Sequence, residues 1–210
     1  MIQIRRLDSS ALFLLVSNII TLVCALVFQW SVLTLLWIYW VQSVIIGVFT
    51  VIKLLMFGAE QHSTFVALGS IGSALFFCVH YGMFHVGYAV FLISFSGSTF
   101  NSFFSFRPPD FLAVALLSFM FICNHTFSFI KHYVWEKKQI GISVNQIFTE
   151  PYKRIVPMHL TIIAAGFLSV MFPFAEELII VVFLGLKTIV DLRTHESMHQ
   201  KDKPGILLIQ

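Results

Sequence analysis

Five side chains in apolar stretches of this chain have the chemistry of a metal site: His80, His125, His159, Asp191 and His195. Neutral imidazole is the commonest metal ligand, and a carboxylate often completes the set. A divalent cation, zinc first, would lower the pKa of a bound water to about 7 and polarise an ester or amide carbonyl. Asp191 or Glu196 would then act as the base. Arg154 stands between Pro151 and Pro157, beside Lys153 and Tyr152, where it could hold a phosphate or carboxylate through two parallel hydrogen bonds. Tyr81 and His85 would line the substrate side of such a site.

His195, Glu196 and His199 also fit the H-E-x-x-H pattern of zinc proteases. The setting argues against a protease. The motif begins where the last apolar run ends, and only a short tail follows His199. Asp191, His195 and His199 form a better frame, a ladder with steps of four residues that keeps to one helix face. The ladder rises about 12 Å, too far for one ion to take all three. Asp191 and His195 are its deeper pair.

These residues must be positioned by elements built for lipid. The chain has 210 residues, of which 58% are hydrophobic and 11% charged. A soluble domain is about half apolar and a quarter charged. The expected fold is therefore all-α, a polytopic bundle of about six transmembrane helices forming a single integral membrane domain over residues 1–210. A helix needs about 20 residues to cross a hydrocarbon layer of roughly 30 Å. The expected spans cover residues 11–28, 32–57, 65–95, 111–133, 155–172 and 177–191, the last continuing as helix into the cytosol. All of the 13 Lys and Arg except Arg107 fall on one side or at its membrane edge, so both termini are expected in the cytosol. The net charge of +3 reports that topology and gives no sign of nucleic acid. Cys24, Cys78 and Cys123 lie in apolar segments and are expected to stay unpaired. The outer link "SGSTFNSFFSFRPPD" would lay Phe103, Phe104 and Phe106 in the interface. The inner link around Lys137 and Lys138 is the only polar stretch of any size.

A rise of 1.5 Å per residue puts His80, His125, His159 and the Asp191/His195 pair in the inner half on four different helices. His80 and His85 are five residues apart, about 140° off a shared face, and cannot easily serve one ion. Each of these residues has a second reading. The histidines could satisfy Asn, Tyr and Asp between helices without any metal. Lys187 and Asp191 could be a simple ion pair at spacing four, with Lys187 reaching to the interface. Arg154 could anchor anionic lipid.

The set "WIYWVQS", "HYGMFHVGY", "NHTFSF", "PYKRIVPMHLTI" and "KTIVDLRTHE" resembles a family of small bacterial six-span membrane proteins of unknown function. That resemblance implies a fold and a topology, and no activity; the expected location is a bacterial inner membrane. The HxxxH of the last span is also similar to that of zinc-dependent transmembrane hydrolases of the ceramidase and adiponectin-receptor type, which have seven spans. Two functions of different class follow. One is a metal-dependent hydrolase acting on a membrane lipid or small amphipathic substrate. The other is a non-enzymatic transporter, structural or sensing protein with a polar histidine network.

Overall fold

A computed structural model describes residues 9–96, 108–135, 143–172 and 175–201. Every regular element among them is helical: α1 Ser9–Val27, α2 Val32–Ala59, α3 Thr64–Ser96, α4 Phe111–Phe129, a π-helical extension Ile130–Trp135, α5 Val144–Met171 and α6 Glu176–Lys201. Three are long and apolar enough to cross a membrane, over Val32–Ala59, Thr64–Ser94 and Phe111–Trp135. Asn18–Val27 is a shorter apolar helix. The outward faces of these helices are apolar too: Phe65, Val79, Leu112 and Phe119 are all largely exposed. Apolar side chains on the outside suit lipid as the surrounding solvent. Phe103, Phe104, Phe106, Lys137 and Lys138 lie outside the described residues. Cys24, Cys78 and Cys123 are free thiols, as expected.

The chain divides into two compact units, residues 30–155 and residues 1–29 with 156–210. The first unit is organised around an antiparallel α2–α3 hairpin. Small residues on α2 receive larger ones on α3 in a constant register. Gly58 lies against Ser70, whose hydroxyl donates to the Leu54 carbonyl. Gly47 lies under the Tyr81 ring, where a Cβ would stand 2.5 Å from Cε1. Ser43 meets His85. Close approach through small residues is how helices associate in lipid, where no hydrophobic gain separates protein from solvent.

Local sequence sets the helix starts. Ser31 caps α2 by accepting from the Thr34 amide at 3.1 Å. Asp110 caps α4 by accepting from the Ala113 amide at 3.0 Å. The two starts are tied together, since the Asp110 amide donates to Thr34 Oγ1 at 2.9 Å. α5 begins at Val144, earlier than the expected span at Ile155, because Ser143 and Gln146 form a reciprocal capping box. The Ser143 amide donates to Gln146 Oε1 at 2.8 Å, and the Gln146 amide donates to Ser143 Oγ at 3.3 Å.

In the other unit α1 packs on α6. The Lys187 ammonium donates to Asn18 Oδ1 at 3.2 Å across that contact. Lys187, at ion-pair spacing from Asp191, thus has a partner on a different helix.

Candidate functional site

The most tightly made polar cluster is in the α2–α3 seam. Ser43 is 1% exposed, His85 5% and Tyr81 6%, so water satisfies almost none of their polar atoms. His85 Nδ1 is 2.8 Å from the Tyr81 carbonyl one turn earlier. A carbonyl only accepts, so Nδ1 carries a proton and donates it. His85 Nε2 is 2.7 Å from Ser43 Oγ. Ser43 Oγ is also 2.9 Å from the Trp40 carbonyl. The Tyr81 hydroxyl donates to the Ser43 carbonyl at 2.6 Å, and its ring stacks on the His85 ring at 4.2 Å. Trp40 Nε1 donates to the His85 carbonyl at 2.9 Å. Gly47 makes this possible, because any side chain there would push Tyr81 off the Ser43 carbonyl.

The Ser43 hydroxyl has one proton and two acceptors within reach. With a neutral His85, the hydroxyl donates to Nε2. With a doubly protonated His85, Nε2–H donates to Ser43 Oγ, and the hydroxyl turns to the Trp40 carbonyl. The ring nitrogens and the hydroxyl therefore have hydrogen-bond partners in both states.

The other histidines go elsewhere. His80 Nδ1 pairs with the Tyr152 hydroxyl at 2.9 Å, and its ring stacks on Phe76 at 5.5 Å. His80 thus faces α5 while His85 faces α2, as the five-residue offset requires. His125 lies against the rings of Phe49 and Phe121, at 4.8 and 5.4 Å. His159 is half-buried on α5. The side chains of Arg154, Asp191, His195 and Glu196 lie outside the described residues, although their backbone is helical. Among the described residues no three His, Cys, Asp or Glu side chains come together in a way that could hold a metal ion.

Below the histidines a second polar group joins three elements. Lys53 Nζ on α2 is 3.7 Å from Glu150 on α5 and lies 5.9 Å from the centre of the Tyr133 ring in the π-helix. The Tyr133 hydroxyl donates to the Lys53 carbonyl at 3.2 Å. The single-turn π-helix supplies the residue that closes this group.

Two participants escaped sequence reasoning. Ser43 sits among aromatics in "WIYWVQS", and its link to His85 needs the hairpin register. Asn18 went unremarked, and an amide within an apolar helix was the available signal. A protein-family model described as a family of unknown function (DUF6498) matches residues 1–205. No curated protein and no solved structure matches the chain.

Proposed function

The chain belongs to that family of unknown function, and we propose from its own geometry that it is a proton-responsive integral membrane protein of the transporting or sensing class, working without a catalytic step. His85 is the group that takes and releases the proton, and Ser43 is the hydroxyl that reorients with it. One observation carries this reading: Ser43 Oγ lies within hydrogen-bond distance of both His85 Nε2 and the Trp40 carbonyl, at 2.7 and 2.9 Å. The same hydroxyl can therefore partner the ring in either charge state. The protein is set in a bacterial inner membrane as six spans with both termini in the cytosol. The one-sided distribution of Lys and Arg supports that orientation.

The test is histidine-selective ¹⁵N NMR of the full chain in lipid nanodiscs between about pH 5 and 8. The reading expects His85 to convert from an Nδ1–H neutral ring to an imidazolium within that range. A His85 ring fixed in one form throughout, with wild-type folding, overturns it. The alternative of a zinc hydrolase on His80, His125, His159, Asp191 and His195, with Glu196 and Arg154 assisting, draws less support. His80 and His125 already face Tyr152 and phenylalanine rings. Elemental analysis of protein purified without chelator distinguishes the two, because the hydrolase requires about one equivalent of metal that falls in His125→Ala and His159→Ala.

A further inference from the structure

A groove of about 540 Å³ runs between α3 and the first turns of α5, within the unit formed by residues 30–155. Gly69, Gly72, Ser73 and Phe76 form one wall, and Asn145 and Phe148 stand on the other. The α3 wall is nearly bare. A Cβ added at Gly69 or Gly72 meets nothing within 4 Å, so packing requires neither glycine. In a helix interior, each glycine costs about 0.5–1 kcal/mol relative to alanine. What their missing side chains provide is the room in the groove. One end is closed by rings, since Phe76 stacks on Phe148 at 5.9 Å and on His80 at 5.5 Å.

We propose that this groove holds the acyl chain of a membrane phospholipid, with the polar part of the lipid at Asn145. The walls have the matching chemistry. α3 is apolar and long enough to cross a membrane, while the opening turns of α5 carry Asn145, Gln146, Thr149 and Glu150. The side-chain amide of Asn145 makes no hydrogen bond with the described residues and is exposed, so it can donate to an ester or phosphate oxygen. The size decides between occupants. A groove of this volume is in the range of small-ligand sites, about 300–1,000 Å³. A helix from a second copy is about 10–12 Å across with its side chains and demands a longer, wider surface.

The test uses the full chain in nanodiscs of phosphatidylethanolamine and phosphatidylglycerol that contain a phosphatidylethanolamine with a diazirine in its acyl chain. After irradiation, labelled peptides are mapped. Labelling is expected to concentrate on residues 69–76 and 144–148, above the equally lipid-accessible Phe119 on α4. Gly72→Leu fills the groove with about four methylenes' worth of side chain and should cut that labelling about tenfold or more. Gly87→Leu is the control, because Gly87 also has open space around it and lies outside the groove. If Gly72→Leu fails to fold, Gly69→Ala and Gly72→Ala carry the same test, with a smaller drop expected. Labelling spread evenly over exposed apolar positions, or unchanged in the filled variant, overturns the proposal. So does labelling only by a free diazirine fatty acid. A dimer by mass photometry that Gly72→Leu dissociates would assign the groove to a second copy instead and overturn it equally.

Discussion

Replacing Gly47 with alanine puts the hairpin register under direct strain. The new Cβ would stand 2.5 Å from Tyr81 Cε1, 3.1 Å from Cδ1 and 3.2 Å from Cζ. Carbon atoms rest at about 3.5–4.0 Å, so the ring must retreat by about 1 Å. It has little room to do so. Phe77 stacks on one side at 4.6 Å and His85 at 4.2 Å. A retreat of that size takes the Tyr81 hydroxyl beyond hydrogen-bond reach of the Ser43 carbonyl, from 2.6 Å. Overpacking costs about 1–3 kcal/mol, and the lost hydrogen bond about 1 kcal/mol more. The helix propensity gained on leaving glycine returns about 1 kcal/mol. The net expectation is a destabilisation of about 1–3 kcal/mol. Reversible unfolding in mixed micelles, followed by circular dichroism, measures it. Gly87→Ala, where a Cβ meets nothing within 4 Å, should be neutral or slightly stabilising. A Gly47→Ala protein as stable as Gly87→Ala, with the Tyr81 hydroxyl still bonded, would refute the α2–α3 register.

Three further outcomes follow from the same contacts. In a double-mutant cycle, Ser43→Ala and His85→Gln should be coupled by about 1–2 kcal/mol, read from unfolding equilibria; additive losses would separate the two residues. Asn18→Leu removes the oxygen that receives the Lys187 ammonium at 3.2 Å and should cost about 1.5–3 kcal/mol, more than Asn145→Leu on an exposed face, by the same measurement. Lys53 and Glu150 are 25% and 45% exposed at 3.7 Å, so Glu150→Gln should change stability by less than about 1 kcal/mol, and salt should shrink the difference.

Much of the helical architecture was legible in the sequence, because a continuous apolar run of about 20 residues has few alternatives in lipid. The early start of α5 was legible as well. Ser143 followed three residues later by Gln146 is a capping signature, and it was overshadowed by the polar composition of the stretch. The site was less legible. Sequence depth alone put His80 and His125 at a similar level, and depth says nothing about which way a ring faces around its helix. The five-residue spacing did separate His80 from His85, and α5 and α2 take them in turn. The partner of His85 depended on one long-range fact, the register of α2 against α3, and that is fixed by where Gly47 and Gly58 let α3 come close.

The most direct test of the central claim is the tautomer and titration of the His85 ring, read by ¹⁵N NMR in nanodiscs with His85→Gln to assign the signal. The account predicts an Nδ1–H neutral ring at the upper end of the pH range and an imidazolium at the lower end. Ser43→Ala should move that transition, and chelator should leave it unchanged. An Nε2–H tautomer, a ring that never titrates, or a signal that shifts when metal is removed would contradict it.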